Sequence, residues 1–160
     1  NRLAQAGAGT ADALDRMEYL VMAVVDASLA AERMVCAAEY AGLGACYVGA
    51  IRNDPARVTK ILGLPKGTFA VFGVCFGWPS EPRPAVKPRL ALDQVWFEDT
   101  YPDEVSVAEF DERMRDHYAS RGQDPAITWS QRSARRADEK HLTGREALLD
   151  WLHQQDLGVR

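Results

Sequence analysis

The amino-acid sequence predicts an α+β fold in a single domain of residues 1–160. Three observations support this prediction: a long segment without proline or glycine, short segments suited to strands, and two capping patterns nearer the C-terminus. The predicted order is helix, strand, helix, strand, strand, helix, helix, which is typical of a mixed fold. A chain of 160 residues is long enough to bury a hydrophobic core.

The first predicted element is a long helix. Residues 11–40 contain neither proline nor glycine and are rich in Ala, Leu, Met and Glu, which favour helices. Gly42 or Gly44 is expected to end this helix in a left-handed conformation. Because its apolar residues exceed a single stripe, we expect a central helix that is covered on both sides.

Two strands with a short helix between them are expected next. Residues 45–51 form a short apolar run, and residues 69–78 are rich in aromatic and β-branched residues, so both are predicted to be strands. Between them, Asn53–Pro55 combines a capping side chain with a proline in the first turn, which indicates a helix start. We expect that helix to run to about Leu62, before Gly63.

The C-terminal half is predicted to hold a loop, a strand and two capped helices. Four prolines make residues 79–89 an extended Pro-rich loop, and residues 95–101 indicate a strand. Ser106–Glu109 and Thr143–Glu146 have the Ser/Thr-x-x-Glu pattern of a capping box, so each is expected to open a helix. Residues 122–142 are interpreted as a linker to the C-terminal helix.

Composition argues against two classes of partner. The net charge of −4 gives no general attraction to nucleic acid or to an anionic membrane, and no apolar run is long enough to span a bilayer. The basic run Arg132–Arg136 is followed at once by Asp138 and Glu139, which favours a solvated face over a nucleic-acid site. We therefore expect neither nucleic-acid nor membrane partners.

The cysteines and histidines indicate thiols rather than a metal site. Cys36, Cys46 and Cys75 are odd in number and lie in apolar surroundings, which favours buried reduced thiols over a disulfide. Reduced thiols suit a cytoplasmic location. The cysteines show no C-x-x-C spacing and the three histidines are far apart in the sequence, so we expect no metal.

Lys87 and Arg89 flank Pro88 in a stiff extended segment, where side chains two residues apart point to the same side. Two cations held in this way can share one phosphate group, with Arg giving a forked contact and Lys a point charge. A Lys-Pro-Arg segment taken alone is more often a solvated loop. These residues by themselves leave both interpretations open.

Tyr47, Val48, Gly49 and Ala50 lie at the end of the first predicted strand. They fit a buried strand in which the glycine allows close packing. They also fit a ligand site, where the glycine lets a flat ring approach and backbone N–H groups point at it. Alone, the motif does not distinguish the two.

Three motifs occur together and in one order: Gly42–Asn53, Phe76–Pro79 and Lys87–Leu90. On these motifs the chain resembles the oxygen-insensitive NADPH nitroreductase and NADPH-flavin oxidoreductase family, from about Asp15 to its end. The resemblance implies a nitroreductase-type fold, a mixed sheet flanked by helices, with the long helix at a homodimer interface. It also implies that the family's N-terminal segment, which supplies further FMN contacts, is missing from this sequence.

The resemblance assigns roles to particular residues. It implies that Lys87, Pro88 and Arg89 hold the phosphate of FMN and that Tyr47–Ala50 face its isoalloxazine ring. The flavin would perform the chemistry, so no catalytic side chain is expected.

Arg121 matches an arginine that family members use for the 2′-phosphate of NADPH. A guanidinium near a helix end is also a common solvated cap, because it favours the negative end of the helix dipole. A second arginine of the family is replaced within Gln123–Ile127, and this departure leaves NADPH and NADH both open as electron donors.

The implied activity is reduction of small aromatic acceptors, namely nitroaromatics, quinones or flavins. Hydride would pass from NAD(P)H through FMN in a ping-pong cycle. The alternative is a truncated, non-catalytic flavin-binding or interaction module of the same fold. The missing N-terminal contacts motivate that alternative, because hydrogen bonds to a charged group contribute about 1.5–3 kcal/mol each.

Overall fold

The structure is a computed structural model that describes residues 7, 10–80 and 85–160. The chain falls into two compact units. The first, called the sheet unit, comprises Asn1–Glu81 and Thr143–Arg160, and the second, called the helical unit, comprises Pro82–Leu142. That the whole chain forms one domain stays a prediction.

Helix α1 of the sheet unit spans Met17–Tyr40. It begins six residues later than predicted, because residues 12–15 form turns and Arg16 provides no side-chain cap. Its end is as predicted: Gly42 has a φ of 83°, and the N–H of Leu43 donates to the carbonyl of Ala38 at 2.9 Å.

Within the single chain, α1 is not covered on both sides; the expectation that a subunit interface covers part of it stays a prediction. All residues of α1 are described, and only Val35 among them is buried. Large apolar side chains stay exposed along its length, namely Met17, Tyr19, Val21, Met22, Val25, Leu29, Met34 and Tyr40. None of the described helices combines the length and hydropathy that a bilayer crossing requires.

Two antiparallel strands, β1 (Gly44–Val48) and β2 (Gly73–Gly77), form the sheet, and Cys46 lies opposite Cys75. Both strands are shorter than predicted. After β1 the chain turns into a 3-10 helix at Ala50–Asn53, so the predicted strand ends three residues early. Trp78, which directly follows β2, is 77% exposed, although large aromatic side chains usually contribute to a core.

Helix α2 spans Pro55–Leu62 and confirms the predicted start and stop. The Asp54 carboxylate accepts a hydrogen bond from the Arg57 N–H at 2.9 Å, and Pro55 occupies the first turn. Gly63 ends the helix in the left-handed region, with a φ of 61°.

The C-terminal arm of the sheet unit contains a 3-10 helix at Arg145–Ala147 and helix α5 at Leu148–Gln154. The capping box predicted at Thr143 is wrong, because Thr143 does not cap. Instead the Glu146 carboxylate accepts from the N–H of Gly144 at 2.9 Å. At the chain end, Arg160 Nε donates to the Asp15 carboxylate at 2.8 Å and so fastens the arm beside the start of α1.

The helical unit contains α3 (Ala108–Ser120) and α4 (Trp129–Arg136), with 3-10 turns at Leu92–Gln94 and Glu139–His141. Its core consists of Phe110, Met114 and Tyr118 from one face of α3, with Leu90, Val107 and Trp129 packed against them. The rings of Phe110 and Trp129 meet edge to face at 5.1 Å.

Three sequence predictions fail in the helical unit. Residues 95–101 form no strand, because the Leu92–Gln94 turn continues into them and Asp99 has a left-handed φ of 62°. Ser106 makes no capping box, since Val107 occupies the N-cap position without a side-chain hydrogen bond. Helix α4 lies inside the interpreted linker, opened by a reciprocal pair of hydrogen bonds between Thr128 and Gln131.

Candidate functional site

The end of β1 is held by the side chain of Tyr47. Its hydroxyl donates to Glu32 Oε2 on α1 at 3.1 Å, and its ring meets Phe72 edge to face at 5.2 Å. The other Glu32 oxygen accepts from the Cys36 thiol at 3.6 Å. This face of the sheet therefore lies against α1. The contacts of Tyr47 with Glu32 and Phe72 fix the point at which the turn after β1 begins.

The environment of Tyr47 also keeps its phenol protonated. Partial desolvation raises the pKa of Tyr47, and the hydrogen bond to Glu32 and the charge of that carboxylate raise it further. A tyrosine whose pKa lies above its usual value of about 10 carries its proton throughout the physiological range. Tyr47 is thus a fixed hydrogen-bond donor to Glu32, with no tendency to release its proton near neutral pH.

The backbone conformation at position 49 does not require glycine, because the φ of −83° at Gly49 is accessible to any residue. The space beside it is used by Arg52: a Cβ at Gly49 would come 3.2 Å from Arg52 Nη2. Arg52 in turn donates from Nη1 to the carbonyl of Val71. The missing side chain at Gly49 therefore makes room for a guanidinium that joins the turn after β1 to the lead-in to β2.

Asn53 anchors the other end of this turn to the C-terminal arm. Its carboxamide oxygen accepts from Arg145 Nε at 2.8 Å, and Gly144 passes so close that a Cβ on it would overlap the carbonyl oxygen of Asn53. The supporting roles of Arg52, Asn53 and Arg145 in this turn were not predicted from the sequence. Their partners are 19 and 92 residues away along the chain, and no local pattern marks such contacts.

Lys87 lines a cleft of the helical unit with a volume of about 300 Å³. Two further cations, Arg132 and Arg136, stand four residues apart on α4 and share this cleft. The other lining residues are neutral or polar, namely Tyr118, Gln123, Trp129 and Ser133. With three cations and no carboxylate among the described residues of its lining, the cleft attracts an anionic group. We call it the cationic cleft.

Arg132 is fixed in the wall of the cationic cleft by three contacts. Its guanidinium lies 4.2 Å from the centre of the Tyr118 ring, an arrangement typical of a cation–π contact. Its Nη2 and Nε donate to the carbonyls of Asp124 and Ile127 at 2.8 and 3.1 Å. These contacts hold the loop that precedes α4. The sequence interpretation of Arg132–Arg136 as a solvated face missed this; the spacing of four residues on one helix was the available signal.

The other predicted site residues of the helical unit lie outside the lining of the cationic cleft. Arg89 is exposed two residues beyond Lys87, and Pro88 between them is partly buried. Arg121 is exposed at the end of α3, where its backbone N–H donates to the Tyr118 carbonyl at 3.1 Å. Of the three cations predicted from sequence, the structure places only Lys87 in this cleft. Among the residues that the structure describes, no three metal-binding side chains form a group.

Two family models match the sequence. One, described as the nitroreductase family, covers residues 10–78, and the other, the C-terminal domain of that family, covers residues 87–160. The chain belongs to the nitroreductase family. The family expected from the three sequence motifs is thereby confirmed.

Individual relatives agree with this assignment. The oxygen-insensitive NADPH nitroreductase of Salmonella typhimurium is 37% identical over 146 residues, which is 89% of this chain and 59% of the relative. The structure of NfrA1 nitroreductase from B. subtilis matches with a TM-score of 0.87 at 30% identity, over 99% of this chain and 66% of that chain. The predicted nitroreductase-type α+β fold is confirmed.

A third relative bears on ligands. The structure of NADPH:FMN oxidoreductase from Vibrio harveyi, complexed with NAD+, matches with a TM-score of 0.77 at 33% identity, over 91% of this chain and 59% of that one. This chain spans 59% of the length of the Salmonella typhimurium relative and 50% of the length of the NADPH-flavin oxidoreductase of Vibrio harveyi.

Proposed function

We propose that this nitroreductase-family chain is part of an FMN-dependent NAD(P)H oxidoreductase that reduces nitroaromatics, quinones or flavins. The observation that carries the proposal is the cationic cleft around Lys87, in a family whose named members include NADPH nitroreductases and a flavin oxidoreductase. When bound, FMN would accept hydride from the nicotinamide nucleotide and pass it to the acceptor in a ping-pong cycle.

The charge of the cationic cleft fits the phosphate of FMN. A phosphate monoester carries close to two negative charges at neutral pH and offers three acceptor oxygens. Lys87 supplies a compact charge, and the Arg136 guanidinium, which also lines the cleft, can fork onto phosphate oxygens. Arg132 is already committed to backbone carbonyls and so contributes its charge and a fixed wall. Pro88 and Arg89 are proposed to complete this phosphate site from the adjoining segment.

The turn after β1 fits a planar ligand through its backbone. Tyr47 is held by Glu32, and the turn Gly49–Asn53 is held by Arg52 and by Arg145. A backbone segment supported at both ends keeps its N–H groups of Val48, Gly49 and Ala50 in one position, which is what orientation of a flavin ring requires. Since the Tyr47 phenol retains its proton, we assign it no proton transfer, and solvent is the proposed proton source.

Arg121 is the proposed contact for the nicotinamide nucleotide. It is exposed at the C-terminal end of α3, where the hydrogen bonds that the structure describes are made by its backbone N–H and leave the guanidinium to solvent. The 2′-phosphate of NADPH is a ligand that an exposed guanidinium binds well. NADPH is therefore the proposed donor, with NADH as the alternative.

A homodimer is the proposed assembly. The many large apolar side chains exposed along α1 form a surface of the kind that usually packs against another protein chain. The same observation favours the second candidate function, a non-catalytic flavin-binding or interaction module. A reducing cytoplasm is the proposed location, supported by three free cysteines.

The visible absorption spectrum of the purified chain, with and without added FMN, tests the proposal. A protein-bound flavin band that bleaches on addition of NADPH would support the oxidoreductase. A bound band that NADPH leaves unchanged would favour the non-catalytic module. If FMN causes no spectral shift and no flavin coelutes with the chain, the proposal is wrong for these 160 residues.

A further inference from the structure

Two of the three cysteines face each other across the sheet. In the antiparallel register of β1 and β2, Cys46 is the direct partner of Cys75. Directly opposed residues of an antiparallel pair project their side chains from the same face. The expected burial of these thiols is wrong, since both side chains are free and exposed.

The register puts the two cysteines within reach of a covalent bond. Directly opposed residues have Cα atoms roughly 4.5–5.5 Å apart, depending on their hydrogen-bonding class. Disulfides span Cα separations of roughly 4.4–6.8 Å, so either class of pair satisfies the requirement without a change of register.

The face that carries this pair has few side chains beside the two thiols. Residues two positions away on the same strand share a face, so the neighbours of the thiols are Gly44, Val48, Gly73 and Gly77. Three of these four have no side chain, and a Cβ built on Gly77 would meet nothing within 4 Å. Because both cysteines are exposed on this face, a small reagent can reach both sulfur atoms.

The third cysteine lies on the other side. Tyr47 follows Cys46 in β1, so its side chain leaves from the opposite face, where it bonds to Glu32. Cys36 bonds to that same carboxylate. Cys36 is thus separated from the pair by the sheet and serves as an internal control.

We propose that Cys46 and Cys75 are a reversible two-electron redox site that forms a cross-strand disulfide with peroxides. The thiolate of one cysteine attacks a peroxide oxygen, the O–O bond breaks, and hydrogen peroxide yields a sulfenic acid and water after proton transfer. The second thiolate attacks the sulfenic sulfur, the S–S bond forms, and a second water leaves. Two thiols lose two electrons and two protons, and one hydrogen peroxide becomes two waters. A dithiol reductant reverses the change by thiol–disulfide exchange.

This redox site does not depend on flavin binding. Its consequence would reach the proposed flavin segment all the same, because Tyr47 and Val48 are the last residues of β1 and a covalent bond to β2 restricts how the two strands separate.

Intact mass and peptide mapping of the 160-residue chain test the proposal. The chain is treated with hydrogen peroxide, alkylated, digested without reduction, and compared with a sample reduced by dithiothreitol. We expect the oxidised chain to lose the mass of two hydrogen atoms, with a linked peptide pair that contains Cys46 and Cys75. Cys36 should remain open to alkylation, and the reductant should restore the original mass.

Three single variants complete the test. Cys36→Ala should form the bridge at the wild-type rate, whereas Cys46→Ala and Cys75→Ala should lose it and accumulate sulfenic or higher oxides. The wild-type map decides the matter even if a strand variant folds poorly. A bridge to Cys36, links between chains that weaken on dilution, or stable sulfinic acid on Cys46 or Cys75 in the wild type would each overturn the proposal.

Discussion

Arg145 Nε donates a hydrogen bond of 2.8 Å to the carboxamide oxygen of Asn53, joining residues 92 positions apart. The contact is partly buried and connects the C-terminal arm to the turn that follows β1. Through it, the arm supports the backbone of the proposed flavin segment. The stability of that turn therefore depends on a residue at the far end of the sequence.

Arg145→Ala should destabilise the sheet unit. Loss of one partly buried hydrogen bond to a cation, which leaves the Asn53 oxygen without this donor, should cost about 1 kcal/mol. The urea midpoint measured by circular dichroism checks this. Arg57→Ala on α2 is the control, because Arg57 is exposed and its hydrogen bond to Asp54 comes from the backbone. Equal midpoints for the two variants would show that the Arg145 contact contributes nothing.

Gly144→Ala should be more damaging than Gly63→Ala. Both glycines have a positive φ, of 96° and 61°, so both substitutions carry the conformational cost of about 1–2 kcal/mol. A Cβ at Gly63 meets nothing within 4 Å, whereas one at Gly144 would overlap the Asn53 carbonyl. The difference between their free energies of unfolding isolates that overlap. A Gly144→Ala variant as stable as Gly63→Ala would contradict the close approach.

Lys87→Ala should weaken FMN binding at least tenfold, since a hydrogen bond to a charged group contributes about 1.5–3 kcal/mol. Arg136→Ala should act in the same direction, because it removes a second charge from the cationic cleft. Quenching of flavin fluorescence measures the Kd. Lys140→Ala is the matched control, as Lys140 is exposed in the same unit and pairs with Asp138 at 3.6 Å. Unchanged affinity in the two cleft variants would remove the phosphate role.

Arg121→Ala should raise the KM for NADPH by about tenfold and leave the KM for NADH nearly unchanged. The two donors differ by one phosphate, so a guanidinium that binds this group affects NADPH alone. Steady-state rates with each donor at saturating acceptor provide the comparison. Equal increases for both nucleotides would instead indicate a general effect on the end of α3.

The contribution of the Asp15–Arg160 pair to stability should depend on acid pH. The hydrogen bond from Arg160 holds the pKa of Asp15 below its usual range, and Asp15 in turn raises the pKa of Arg160. A carboxyl group whose pKa is lowered in the folded state stabilises that state. This stabilisation is fully present above the unfolded-state pKa of about 3.9 and is lost as the pH falls through the folded-state pKa.

Thermal unfolding of wild type and Asp15→Asn, followed between neutral pH and about pH 3, measures this contribution. The wild type should have the higher Tm at neutral pH, and the difference should shrink on acidification. A small effect is expected, because both side chains are partly exposed to solvent. A Tm difference that persists unchanged into acid would rule out the pair as its cause.

Sequence reasoning succeeded where structure depends on residues within one turn. Asp54, Pro55 and Gly63 bound α2 as predicted, and Gly42 ends α1, because a capping side chain or a left-handed glycine acts on the adjacent backbone. The Thr128–Gln131 capping box that opens α4 is equally local and could have been found. It was missed because the surrounding segment is polar and basic.

Predictions that depended on surroundings did worse. The apolar residues of α1 indicated burial on both sides, yet exposure is decided by which elements pack against a helix, and in this chain few do. The aromatic run at 95–101 indicated a strand, but a strand needs a partner to take up its backbone hydrogen bonds, and none of the described residues provides one.

By itself, the sequence determined the family, the class of fold and the limits of the well-capped helices, because these are carried by residue order and by contacts within a few residues. Only the tertiary structure decided that Cys46 faces Cys75, that Arg145 holds Asn53, and that Lys87 shares a cleft with Arg132 and Arg136. These relationships join residues far apart along the chain, and their geometry follows from strand register and packing, which no local pattern encodes.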